Sequence, residues 1–180
     1  LDRLPVARRF MSAILPLGTF GTEDALPSAD ALLQLQGAGP LDVSAMADGL
    51  ITELDATRGS VTFRVRDDIR LRLSGIRVRD DLWVGRVVQA GTAVGSVDAS
   101  HPEARVGVRL LDAAVVRTRW IRPERYGARR NAGFFVRYLA DSLRSHAFAL
   151  VRRASPDLDG RIDYDRDGRL VGTWFSAAAS

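Results

Sequence analysis

The chain has 180 residues, is 46% hydrophobic, and sets 26 basic residues against 22 acidic ones for a formal net charge of +4. Every basic residue is arginine; there is no lysine, no cysteine and only two histidines. Those absences exclude lysine-acylated carriers, disulfide frameworks, thiolate zinc sites and cysteine nucleophiles together, while the length allows one compact core or one core with a small appendage.

The basic balance does not read as a nucleic-acid surface. Arginines are interleaved with acids, as in Arg64-Val65-Arg66-Asp67-Asp68 and Arg77-Val78-Arg79-Asp80-Asp81, whereas a phosphate-tracking face segregates its cations. Arginine alternating with Val or Leu is the solvated face of a sheet. No apolar run reaches the roughly 18 residues that a membrane-spanning helix needs. Residues 1–17 are interrupted by Pro5, Arg8 and Arg9, so they read as the start of a mature or trimmed chain rather than a signal sequence.

In chain order, Ile14 to Gly18 is an apolar stretch closed by a turn, Ala31 to Gln36 fits a strand or a short helix, and Gly37 to Pro40 is a loop. Strands are expected at Leu50–Leu54, Val61–Arg66 and Ile69–Leu73, where apolar and polar residues alternate between turn pairs such as Asp48-Gly49 and Asp67-Asp68. Glycines then punctuate short Val-rich pieces from Val84 to Val97, so the chain must turn sharply and return against itself. Val106 to Asp112 supplies a further strand. Past residue 116 the spacing changes to that of an amphipathic helix over about 133–152, capped by Asn131, with His146 among its neighbours and Phe134, Phe135 and Phe148 on its core face. A terminal hairpin is expected from Arg161–Tyr164 and Leu170–Phe175. Trp83, Trp120 and Trp174 are expected as core anchors rather than a sugar-stacking surface.

Two runs carry a family resemblance. Ala45-Met46-Ala47-Asp48-Gly49-Leu50-Ile51, a strand pair, and then Val84 to Val97 follow an order that resembles lysostaphin-type (LytM) zinc endopeptidases. The same glycine spacing occurs in lipoyl and biotinyl barrels, whose acylated lysine is absent here. A narrower resemblance is to uncharacterised bacterial proteins with this core. It lies in Pro16-Leu17-Gly18 and in the closing text Gly160-Arg161-Ile162-Asp163-Tyr164-Asp165 with Gly168-Arg169-Leu170-Val171-Gly172-Thr173-Trp174-Phe175.

The resemblance implies a mainly β fold: a LytM-like sandwich core over 41–116, a strand-and-loop segment over 1–40 packed on it, and a helix plus hairpin over 117–180. It also implies where zinc would be held, by two His and one Asp with a further His to activate water. The first His position corresponds to Asp24, the metal Asp to Ala29 beside Asp30, and the last-strand histidines fall near Arg105 and Gly107. His101, in a Ser-His-Pro turn, has no second His at ligand spacing. The former zinc groove is therefore expected to be a charged cleft lined by Asp24, Asp30, His101 and Arg105. Asp163, Asp165 and Asp167 match the first half of a calcium loop but lack its closing Glu, so a structural turn is favoured.

The resulting expectation is a zinc-less LytM-like module without a cofactor, exported, and binding peptidoglycan or an envelope protein. Two alternatives stand beside it: a hydrolase rebuilt around Asp24, Asp30 and His101, and a purely structural domain of a larger assembly.

Overall fold

A computed structural model describes residues 1–19, 27–117, 119–120, 123–153 and 155–165. Eleven strands are formed among them: β1 (Met11–Leu15), β2 (Ala31–Leu35), β3 (Pro40–Ser44), β4 (Gly49–Asp55), β5 (Ser60–Arg64), β6 (Ile69–Ser74), β7 (Arg77–Val78), β8 (Val87–Val88), β9 (Ala93–Asp98), β10 (Arg105–Asp112) and β11 (Ala132–Gly133). One α-helix, α1 (Asp141–Ala149), follows. The protein is mainly β, as the alternation and the turn pairs predict.

All ladders are antiparallel. The larger sheet runs β1-β2-β10-β6-β5-β4-β8, with β11 also paired to β10, and a smaller sheet runs β3-β9-β7. Strand β10 is central because it is long enough to serve three partners. Residues 105–108 pair with β2, residues 107–112 with β6 on the other side, and Leu110 and Leu111 with β11. Along one edge of β10, β11 therefore takes over where β2 stops.

The period of two sets the core. Val106, Val108 and Leu110 of β10, Ile69, Leu71 and Leu73 of β6, and Val61 and Phe63 of β5 are all buried. One continuous apolar cluster includes Ile14 and Leu33, Val43 and Met46, and Phe135, Leu139 and Ile162. It draws on all three expected segments, and β2 enters the larger sheet from the N-terminal side of the expected boundary at 40/41. Ala31–Leu35 is thus a strand, resolving the choice the sequence left open.

The C-terminal third departs from expectation. The helix over 133–152 is reduced to α1, preceded by β11 and a 3-10 turn at Phe135–Tyr138. Ala132 and Gly133 are held extended by the edge of β10, and Phe134, Phe135 and Val136 are all buried in succession. An α-helix turns about 100° per residue and cannot place three consecutive side chains in one core face. Asn131 caps nothing; its amide donates to the Val115 carbonyl at 3.0 Å. His146 is exposed on α1, with Nδ1 3.2 Å from the Ser142 carbonyl oxygen. Residues 161–165 form no strand, and the rest of the expected hairpin, with Trp174, lies outside the described residues. Trp120 is buried against Tyr126. Trp83 is not a core anchor: it is 60% exposed, with the Arg86 guanidinium stacked on its ring at 5.0 Å.

Candidate functional site

Asp30 immediately precedes β2, and its position follows from register. Ala31 pairs with Val108 and Leu32 with Gly107, so the next residue back, Asp30, falls opposite Arg109. The Arg109 Nε donates to Asp30 Oδ1 in a close ion pair whose side chains are 23% and 14% exposed. Asp30 Oδ2 accepts from the Ser74 hydroxyl at 3.4 Å, and the Asp30 backbone N–H donates to Ser28 Oγ at 3.1 Å. Ser74 reaches this point because β6 pairs it with Gly107.

Gly107 faces the same cluster. A Cβ built there would lie 2.4 Å from Ser74 Oγ and 3.3 Å from Asp30 Oδ2. The space beside the carboxylate is thus already filled by the serine hydroxyl, and a side chain enters only if Ser74 gives way.

Of the four residues expected to line one cleft, the three that are described, Asp30, His101 and Arg105, are not drawn together. Arg105 shares the face of Gly107 and Arg109, but it pairs with Gln34, four positions along β10. At strand rise that is about 13 Å from Arg109. His101 lies farther on, in the β9–β10 turn, with its side chain 77% exposed and Nε2 3.9 Å from Asp98 Oδ2. The Ser100 hydroxyl, donating at 2.7 Å, is the main cause that holds the Asp98 carboxyl below its ordinary range. Asp24 lies outside the described residues. Of the three that are described, Asp30 alone sits in a built arrangement, and its partners, Arg109 and Ser74, were not anticipated. Arg109 lies in an alternating Val-Arg-Leu stretch, where a local reading sees only a solvated face.

The two described aspartates of the calcium-like segment are engaged by the protein's own cations and hydroxyls. Asp163 is buried and lies 3.3 Å from Arg161 Nε and 3.6 Å from Arg117 Nη1. Asp165 accepts from the Tyr126 hydroxyl at 3.1 Å. Asp163 and Asp165 are thus engaged by side chains of the protein itself, and Asp167 lies outside the described residues.

The two short motifs at the ends of the chain meet each other. Leu17 N–H donates to the Asp159 carbonyl and Arg161 N–H to the Leu17 carbonyl, in a parallel bridge between Leu17 and Gly160. Both glycines have positive φ, +83° at Gly18 and +78° at Gly160. A Cβ on Gly18 would meet the Arg161 carbonyl oxygen at 1.8 Å, and one on Gly160 the Leu17 carbonyl oxygen at 2.0 Å. Only residues without a side chain permit this approach. Sequence could find the motifs but not their contact.

The donor set around Asp30 does not suit zinc. A zinc site needs several imidazole or anionic donors aimed at one point. Here one carboxylate is already neutralised by a guanidinium, its neighbour is a hydroxyl, and Gly107 offers no side chain. Among the described residues no group of three or more His, Cys, Asp or Glu side chains is arranged to hold a metal ion.

Against known proteins, no protein-family model and no curated protein matches the chain. Solved structures similar to it are LytM- and lysostaphin-type domains. One is the catalytic domain of the prophage-encoded M23 protein EnpA from Enterococcus faecalis, at 17% identity and TM-score 0.42, covering 55% of this chain and 78% of that one. Another is Helicobacter pylori Csd3, at 16% identity and TM-score 0.46; 61% of this chain is covered but only 31% of Csd3, so the chain spans about a third of that protein. A third is the SpoIIQ–SpoIIIAH pore-forming complex, at 14% identity and TM-score 0.49, with 62% and 84% covered. The similarity is one of β-rich architecture, and none of those proteins' activities passes to this chain by it.

Proposed function

We propose that the chain is a zinc-less, non-catalytic LytM-like module with a binding or regulatory role at the bacterial cell envelope, exported to meet peptidoglycan or an envelope protein. The observation that carries this reading is the Asp30–Arg109 ion pair beside Gly107. The carboxylate next to the position resembling the family's metal Asp is neutralised by a fixed positive charge. The strand position resembling a metal His has no side chain, and the adjacent volume holds Ser74. An arginine cannot ligate zinc and, once paired with the carboxylate, competes with any cation for it. The compartment and the partner class come from the sequence resemblance alone.

The rebuilt-site hydrolase has less support, because Asp30 is occupied by Arg109 and His101 stands exposed beside Asp98. Elemental analysis of the purified protein, with a turbidity assay on purified peptidoglycan, separates the two. The expected result is sub-stoichiometric zinc, no cleavage, and co-sedimentation with peptidoglycan or capture by a cross-linked envelope protein. Stoichiometric zinc whose removal by chelator abolishes cleavage would overturn the proposal.

A further inference from the structure

A cleft remote in sequence from Asp30 lies between the segment after β10 and the 157–163 segment. It encloses about 500 Å³, within the range that holds small ligands. Arg117, Arg137 and Arg161 line it together with Asp157, Asp159 and Asp163, and Val115, Phe134 and Tyr138 supply apolar wall. The charges balance in number, but they are not all used internally. Arg117 is consumed: Nε and Nη2 donate to the Ala132 carbonyl and Nη1 faces Asp163. Arg137 and Arg161 engage Asp159 and Asp163 only through Nε. Their terminal nitrogens make no hydrogen bond among the described residues. The Asp157 carboxylate likewise makes none; only its backbone N–H is bonded, to Ser155 Oγ.

Among the described residues, what the cleft leaves without a hydrogen-bond partner is therefore two guanidinium edges and one carboxylate, although the guanidinium groups of Arg137 and Arg161 lie over the rings of Phe148 and Tyr164. A multiply charged anion such as phosphate would meet the guanidinium edges but also three carboxylates. A bare cation would meet the reverse. A ligand with a single carboxylate at one end and an ammonium at the other matches both. We propose that this cleft binds a short peptide with free termini, its carboxylate on the terminal nitrogens of Arg137 and Arg161 and its ammonium on Asp157. Small side chains of the ligand lie against Val115 and Phe134. Tyr138 stays a hydroxyl donor to Asp112 at 2.7 Å and keeps that wall fixed. The proposal is independent of the reading of Asp30 and stands or falls without it.

The probe is the dipeptide alanyl-alanine, titrated into the full chain and followed by calorimetry and amide chemical shifts. The expected result is saturable binding, with shifts at residues 115, 133–138 and 157–161. Blocking both termini, as in N-acetyl-alanyl-alanine amide, should weaken it by about tenfold or more. Asp157→Asn should weaken alanyl-alanine by about tenfold yet leave N-acetyl-alanyl-alanine unchanged, and Arg137→Gln should weaken both. Both positions are solvent-facing, and circular dichroism is the check that the variants are folded. No saturable shift up to about 10 mM dipeptide, equal binding of the blocked peptide, or tighter binding of inorganic phosphate in the cleft would each overturn the proposal.

Discussion

Arg109 and Asp30, 79 residues apart in sequence, form an ion pair at the point where β2 gives way to β11 along the edge of β10. Both side chains are largely shielded from water. Removing one partner leaves the other shielded and uncompensated, which costs more than the pair itself contributes. Arg109→Met should destabilise the protein by about 1–3 kcal/mol, a buried-pair penalty reduced for partial exposure. Adding Asp30→Asn to it should recover at least half. Urea denaturation of the four proteins of the cycle measures this; a double variant no more stable than Arg109→Met would mean that Asp30 is not the coupled partner.

Gly107 tests the crowding beside that pair. Gly107→Ala places a methyl 2.4 Å from Ser74 Oγ, forcing the hydroxyl to rotate off Asp30 at a cost of about 1–2 kcal/mol. Combining it with Ser74→Ala removes the obstructing oxygen. The double variant should then be no less stable than Ser74→Ala alone, as read from thermal unfolding midpoints.

Gly160 tests the clasp between the ends of the chain. Gly160→Ala combines a positive φ with a methyl 2.0 Å from the Leu17 carbonyl oxygen, and the backbone cannot move aside cheaply. A loss of about 3–5 kcal/mol is expected. Hydrogen exchange should show Arg161 N–H, which donates to Leu17, among the amides that lose protection first; unchanged protection there would refute the clasp.

Tyr138 gives a dependence on pH. Burial, then its hydrogen bond to Asp112, hold its phenol well above the ordinary value of 10.0. The raised folded value favours the protonated form in the native state. Its contribution is present below the unfolded value and is lost as pH rises through the folded one. Tyr138→Phe leaves the buried Asp112 carboxylate one donor short, though Ala114 N–H still donates to it. The variant should be less stable by about 1–3 kcal/mol at neutral pH. Its gap to the unsubstituted protein should narrow between about pH 10 and pH 11, checked by urea titrations at neutral and alkaline pH. A constant gap would show that the hydrogen bond does not govern the titration.

Much of the β core was legible because its signal is local. Leu50–Leu54, Val61–Arg66, Ile69–Leu73 and Val106–Asp112 were expected as strands and lie within a residue or two of β4, β5, β6 and β10. The helical spacing after residue 132 misled because Phe134, Phe135 and Val136 also suit a tight turn buried on every side. Periodicity reports which residues are apolar, not how many faces the surroundings will cover.

The candidate sites divide along the same line. Composition by itself determined that no lysine-borne or cysteine-borne chemistry exists here, since a missing atom cannot be supplied by folding. It also located the short motifs at Pro16–Gly18 and Gly160–Asp165. Only the tertiary structure decided what those residues touch. It set Asp30 on Arg109 and away from Arg105 and His101, brought Leu17 to Gly160, and gathered Asp157, Arg137 and Arg161 around one cleft. For Asp30 and Arg109 the reason is physical: antiparallel register fixes neighbours at large sequence separation, and a shift of one position would have turned either side chain to the opposite face; glycine at 18 and 160 decides the close approach of Leu17 to Gly160.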